Sequence, residues 1–327
     1  MAGYSTARYL IFGTGSIGSV IGGLMHLRGG ADVTFIGRGR YFDGLLKKGL
    51  RIVGIWGDHF IPPGEIKGFR DQFEINDKFD VILLCVKATD TDSASAIAAP
   101  FLDDNGIMVS VQNGLGNWEK IAAHVGDGRT VGGRVIFGAE TLEPGEVKVS
   151  ACADKVLLGE VFAPVNESLL KALEEDLNAS GIPTSVVSRD EIHSAIWDKV
   201  ITNSALNPLG AILEVTYGKL RDDPETRAVM RQVIEEAFGV MEAKGVRLPF
   251  RTTDDCWKLL MKRLLPATDH RSSMLQDIVM GRKTEIDALS GAISRHGKEV
   301  GVPTPYNDLL TALIKFKQTP GNGLLLT

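Results

Sequence analysis

The feature that most narrows the fold is a glycine loop near the start of the chain. Residues 9–12 (Tyr-Leu-Ile-Phe) form a short apolar run that ends on Gly13, and Gly13-Thr14-Gly15-Ser16-Ile17-Gly18 fits G-x-G-x-x-G. The pattern from Ser16 to Leu27 is helical, with small residues at Gly18, Gly22 and Gly23, and it stops at Gly29-Gly30. Asp32 to Ile36 then alternates as a strand does. Strand, glycine turn, helix and strand within about 30 residues have the dimensions of a β-α-β unit. In a chain with 37 glycines the motif alone is a weak signal; the strand before it and the helix after it supply the context that gives it meaning. In that context Gly13 permits a tight turn, Gly15 lets backbone approach a pyrophosphate, and Gly18 lets helix and strand pack closely. The helix N-terminus offers free N–H groups and a positive partial charge to the phosphate. The competing reading is a glycine turn that only joins strand to helix.

Further strands are expected at 51–55, 80–86, 106–111, 130–137, 145–149 and 155–158, and a helix over 166–179. The run 80–86 is apolar throughout, as a parallel strand covered on both faces must be. After Arg189 nothing reads as a strand. Helices are expected from Asp190 to Leu206, where Pro208 and Gly210 interrupt, from Asp223-Pro224 to Gly245, and over about 252–264, 271–297 and 306–317. The fold class is therefore α/β, with a Rossmann-type dinucleotide-binding domain over 1–189 and an all-helical domain over 190–327.

Composition removes several functions. Apolar residues at 44% and charged ones at 24% are an ordinary globular mixture. Acidic residues match or outnumber basic ones in both halves and the formal charge is −5, so the basic surplus that nucleic acid requires is missing. The longest apolar run, Val81 to Val86, is far shorter than the ~20 residues that span a bilayer, and the first residues lack the apolar core of a signal peptide. Cys85, Cys152 and Cys256 are an odd, scattered set, expected as reduced thiols of a cytoplasmic protein with Cys85 buried. The six histidines show no metal-binding spacing, and neither G-x-S-x-G nor H-E-x-x-H occurs. Apolar helix faces in the second half serve a core or a homodimer equally.

The polar candidates lie where strands end and on one helix. The second strand is followed by Ile36-Gly37-Arg38-Gly39-Arg40, with no carboxylate before Asp43. A carboxylate there would bind a ribose 2′-hydroxyl; a guanidinium suits a 2′-phosphate. Arg38, with Arg40 second, therefore favours NADP(H), against the alternative of two solvated arginines. Lys87 follows the run 80–86, and Gln112-Asn113-Gly114 follows 106–111. Each alone reads equally well as a snorkelling lysine or a turn pair; together they resemble a site wall. Lys199, Asn203 and Asn207 lie at i, i+4 and i+8, on one stripe of a helix whose other faces are apolar. Two asparagines lower helix propensity but offer donors to an oxygen-rich small molecule. Spacing alone makes Glu285 an exposed acid in a long helix.

The glycine loop, Val86-Lys87, Gln112-Asn113-Gly114-Leu115-Gly116, Trp197-Asp198-Lys199, Asn203 to Leu209, and Ser272 to Asp277 with Glu285-Ile286-Asp287 together resemble the ketopantoate reductase (2-dehydropantoate 2-reductase) family, in order, over nearly the whole chain. The resemblance implies a Rossmann domain, a helical domain similar to the C-terminal part of 6-phosphogluconate dehydrogenase, and a site in the cleft separating them. It also implies reduction of ketopantoate to pantoate by NADPH, a step toward pantothenate and coenzyme A. It places the catalytic lysine on Lys199 and the acid on Glu285. Cofactor and substrate residues fall on Arg38, Lys87, Asn113, Asn203, Asn207 and Ser273. The chain departs at Tyr217 and His270, where asparagine is common, two positions that bear on the choice of substrate. Two rivals follow: a reductase of another branched 2-oxo acid or of a polyol phosphate, and an NADP(H)-binding sensor without chemistry. Retention of Lys199 and Glu285 counts against the sensor.

Overall fold

A computed structural model describes residues 7–247, 250, 252–265, 267–319 and 321–322. The described residues divide into two compact units. One runs to Gln112 and resumes over 117–192; the other takes 113–116 and everything described from His193 onward.

In the first unit, β1 (Arg8–Phe12), α1 (Ser16–Gly29) and β2 (Asp32–Ile36) reproduce the unit read from the sequence. Then follow α2 (Gly39–Lys48), β3 (Leu50–Gly54), β4 (His59–Ile61), β5 (Lys67–Phe69), β6 (Phe79–Leu84), α3 (Thr91–Ala98), β7 (Leu102–Ser110), α4 (Asn117–Val125) and β8 (Thr130–Arg134). The unit closes with β9 (Phe137–Glu143), β10 (Glu146–Cys152), β11 (Val156–Glu160), α5 (Glu167–Ala179) and β12 (Thr184–Val186). Eight strands form the main sheet in the order β12-β11-β8-β7-β6-β1-β2-β5. All of its pairings are parallel except β11 with β8. Val81 to Leu84 in β6 are fully buried, as their unbroken apolar run requires; each such side chain contributes about 1.5–3 kcal/mol.

A second sheet, β4-β3-β10-β9, was not expected. The segment 130–137, read as one strand, splits at its end, because Phe137 begins β9 in the smaller sheet. Helix α1 packs against both sheets, so its apolar residues do not concentrate on one face. Its adjacent glycines face opposite ways. A Cβ on Gly22 would lie 2.5 Å from the Phe35 ring and 2.7 Å from Ile11, whereas one on Gly23 would meet Ile52 and Leu50 at 2.7 and 2.8 Å.

The second unit is helical: α6 (Arg189–Leu213, entering from the first unit), α7 (Tyr217–Asp222), α8 (Pro224–Ala243), α9 (Thr253–Leu264), α10 (Ser273–Val279), α11 (Ser290–Val300) and α12 (Pro305–Lys317). Asp223 caps α8 by accepting from Thr226 N at 2.8 Å, as the Asp-Pro signal suggested. Two expectations are corrected. Helix α6 does not end at Leu206 but runs through Pro208 and Gly210. An interior proline costs about 3 kcal/mol; here every residue from Ser204 to Ala211 is buried, and that packing offsets the lost bond. The helix stops instead at Glu214, which takes a left-handed φ of 59° while Lys317 Nζ holds both its carboxylate and the carbonyl of Ile212. The helix expected over 271–297 breaks after Val279, where Gly281 has φ 63° and Arg282 N returns to Asp277 O. No helix among the described residues is long and apolar enough to cross a membrane.

Gly22→Ala should cost about 1–3 kcal/mol by overpacking, seen as a lower urea midpoint at unchanged slope. Gly64→Ala, where a Cβ meets nothing within 4 Å, should stay within about 0.5 kcal/mol.

Candidate active site

In the main sheet β1 lies between β2 and β6. The chain goes from β1 to one side and returns on the other, the switch point at whose carboxyl end such sheets hold ligands. The glycine loop sits there. Gly13 N donates to Ile36 O at 3.0 Å, and Cys85 N donates to Phe12 O at 2.8 Å. Gly13 has φ 104°, and a Cβ on it would stand 2.8 Å from Val86 Cγ1. A Cβ on Gly18 would lie 2.1 Å from Gly13 O and 3.0 Å from Cys85 Cβ, so the helix approaches the strands as closely as a glycine allows. Around Gly15 the space is open, with no atom within 4 Å of a built Cβ. The first turn of α1, with Ser16 and Ile17 behind buried Thr14, has no side-chain cap and no acidic residue. Its N–H groups thus present a positive helix end at an unobstructed backbone, which suits a pyrophosphate.

Arg38 is exposed, immediately before α2, and forms no ion pair among the described residues. Asp43, the first carboxylate after β2, is bound to Arg70 at 2.6 Å. Lys87 is half-buried just after β6, before a single 3₁₀ turn over Ala88–Asp90. Gln112 is committed to the protein itself. Its Nε2 donates to Val86 O at 2.9 Å and to Thr91 Oγ1 at 2.8 Å, while its Oε1 accepts from Ser110 Oγ. It ties the ends of β6 and β7 to the start of α3.

Asn113 belongs to the helical unit, with Gly114 to Gly116. Its Nδ2 donates to Glu285 Oε2 at 3.1 Å. Leu115 N donates to Ala288 O at 2.9 Å, and Gly114, at φ 93°, leaves only 2.5 Å between a built Cβ and that of Ala288. Glu285 is not in the interior of a helix as spacing suggested; it is half-buried and precedes the 3₁₀ turn Ile286–Ala288. The structure thus joins two candidates that are 172 residues apart.

The stripe on α6 is intact because the helix continues past Pro208. Lys199 and Asn203 are half-buried and Asn207 is buried, while Ile196, Trp197, Val200, Ile201 and Leu206 are packed away. Asp198 makes a two-pronged pair with Arg263, at 3.0 and 2.9 Å, that fixes α6 against α9. Ser272 caps α10 by accepting from Leu275 N and donates to Asn207 O at 3.3 Å, whereas Ser273 is exposed on the first turn. Tyr217 OH donates to Asn207 Oδ1 at 2.6 Å. The Asp198–Arg263 and Tyr217–Asn207 contacts were not foreseen. Neither has a periodic signal, although Trp197-Asp198-Lys199 already held one partner. All three cysteines are unpaired. Burial pushes the Cys85 thiol up and brings that of Cys256 to about 12. No cluster of metal-binding side chains occurs among the described residues.

A switch-point glycine turn on a parallel sheet, followed by a helical unit bearing a lysine–asparagine stripe and an Asn–Glu pair, defines a Rossmann-type oxidoreductase architecture. Comparison with known proteins narrows the class. The family model described as ketopantoate reductase PanE/ApbA matches residues 9–161, and its C-terminal counterpart matches 191–318. A 2-dehydropantoate 2-reductase from Aquifex aeolicus is 36% identical over 317 residues, covering 95% of this chain and 97% of its own. One from Pyrococcus horikoshii is 34% identical, covering 96% and 98%. The chain belongs to the ketopantoate reductase family of oxidoreductases. Among solved structures, a PanE/ApbA family ketopantoate reductase from Ralstonia eutropha JMP134 superposes with a TM-score of 0.83 at 30% identity, covering 94% of this chain and 97% of that one. A D-mandelate dehydrogenase solved with NADH and anilino(oxo)acetate gives 0.86 at 26%, covering 95% and 98%.

Arg263→Leu should destabilise the protein by about 1–3 kcal/mol, because it leaves the nearly buried Asp198 carboxylate without its partner. Denaturant unfolding checks this, and an unchanged midpoint would show that the pair is dispensable.

Proposed function

We propose that this protein reduces ketopantoate to pantoate with NADPH in the cytoplasm, a step toward pantothenate and coenzyme A. The observation that carries the reading is the stripe of Lys199, Asn203 and Asn207 along α6, in a chain 36% identical to a reductase of that name. Bound NADPH supplies the hydride that adds to the carbonyl carbon of the 2-oxo acid. Lys199, as a compact ammonium, stabilises the negative charge that gathers on the carbonyl oxygen and gives that oxygen its proton. The product is then a hydroxyl on the former carbonyl carbon, and Lys199 recovers its proton from water. Glu285, already holding Asn113, orients the hydroxyl end of the substrate and the lysine. Asn113 positions nicotinamide and substrate, Asn203 and Asn207 donate to substrate oxygens, and Ser273 binds the carboxylate.

The cofactor residues follow from the first unit. Gly13 to Gly18 cradle the pyrophosphate through backbone N–H groups, and Lys87 flanks the same strand ends. Arg38 takes the 2′-phosphate, a role favoured by the engagement of Asp43 with Arg70. A second reading keeps the chemistry and changes the acid. It is favoured by the likeness to a D-mandelate dehydrogenase solved with NADH and anilino(oxo)acetate.

Following NADPH absorbance with ketopantoate, pyruvate and 2-oxoisovalerate tests both. Ketopantoate should give the highest kcat/KM; a higher value for another acid would select the second reading, and no turnover would refute both. Arg38→Ala should raise KM for NADPH roughly ten- to a hundredfold and leave NADH nearly unchanged, as expected for loss of a charge-assisted contact worth about 1.5–3 kcal/mol. Equal effects on the two cofactors would remove Arg38 from the site.

A further inference from the structure

Asn207 ends the polar stripe, and its surroundings decide what it offers to a ligand. Only 3% of it is exposed. Its backbone carbonyl accepts from Ser272 Oγ, and its side-chain Oδ1 accepts from Tyr217 OH at 2.6 Å. Among the described residues no acceptor is found for Nδ2. That nitrogen is also not one of the buried side-chain atoms sealed away without a partner, so it opens on accessible space.

An asparagine amide can turn over and exchange donor for acceptor. Tyr217 prevents this, because its phenolic proton has no acceptor among the described residues other than Oδ1. The ring itself cannot retreat. Tyr217 N donates to His270 O at 3.0 Å, and the two rings lie 5.0 Å apart between centroids. The next residue, Gly218, donates to Thr268 O at 2.9 Å and packs so closely that a built Cβ would be 2.5 Å from Thr268 Cγ2. Burial pushes the Tyr217 phenol above its ordinary value, so it remains a donor through the neutral range.

We infer that Tyr217, backed by His270, is a specificity-determining positioning residue that locks Asn207 as a donor-only contact and thereby selects 2-oxo acids with a hydrogen-bond-accepting oxygen at the end remote from the carbonyl. Asn207 lies on the same stripe as Lys199, two helical turns further along α6. A substrate ending in a hydrocarbon group leaves Nδ2 without an acceptor and loses affinity. Ketopantoate ends in a hydroxyl that accepts; 2-oxoisovalerate has no such oxygen. The inference rests on the reading above that 2-oxo acids are the substrates.

The test compares ketopantoate with 2-oxoisovalerate on the full chain with NADP(H), by calorimetric binding and by turnover. Wild type should prefer ketopantoate roughly five- to a hundredfold, the effect of one unsatisfied buried donor. Tyr217→Phe, which removes one oxygen and keeps the ring, should lower that ratio severalfold, because the amide is then free to turn over and no longer holds its donor toward the ligand. It should do so mainly through KM for ketopantoate, with kcat at saturation within about twofold; a residue that only supports the fold would lower the melting temperature and leave the ratio intact. Asn207→Ala, which keeps Tyr217 and removes the donor, should also lose the preference. An unchanged ratio in Tyr217→Phe, or a wild type indifferent to the hydroxyl, overturns the inference while leaving 2-oxo acid reduction standing. Wild type that binds neither acid overturns both.

Discussion

The rotation of α6 about its own axis is the constraint on which the helical unit depends. From Ile196 to Ala211 nearly every residue off the stripe is buried. Turning the helix by one residue position, about 100°, would bury Lys199 and expose Val200 in one direction or Ile201 in the other. The two-pronged Asp198–Arg263 pair sets the same rotation from a neighbouring face. A polar group inside a packed helix is costly unless it has a partner. The two oxygens of Asn207 meet that requirement through Tyr217 and Ser272, which ties the chain reversal at Glu214 to the polar stripe.

The first unit follows from a different requirement, the closeness of backbone to backbone. Gly13 and Gly18 let α1 start directly over the ends of β1 and β6. Wedged between two sheets, α1 has glycines where Phe35 and Ile52 approach. The free helix end that results is a consequence of that packing, and an anion is what it attracts.

Much of this was legible in the sequence for physical reasons. The strand at 32–36 matched to the residue, and the Asp223 cap was read from residue type and position. The stripe was read from helical spacing. Other features had no local signal. Strands as short as His59–Ile61 and Lys67–Phe69 hold too few residues for a period to appear. Pro208 read as a helix end because propensity alone says so, and only tertiary burial reverses it. The pairing of Glu285 with Asn113 joins distant parts of the chain, and spacing near Glu285 pointed to a helix that Gly281 in fact breaks. Gln112 read as part of a site wall, yet its hydrogen bonds are spent inside the sheet unit.

In the proposed reaction the amine of residue 199 is the proton donor. Removing it as Lys199→Ala and measuring ketopantoate-dependent NADPH oxidation beside equilibrium NADPH binding tests this directly. The account predicts kcat lower by about 10²–10⁴ with NADPH affinity within a few fold of wild type. A variant that keeps near-full kcat would contradict it.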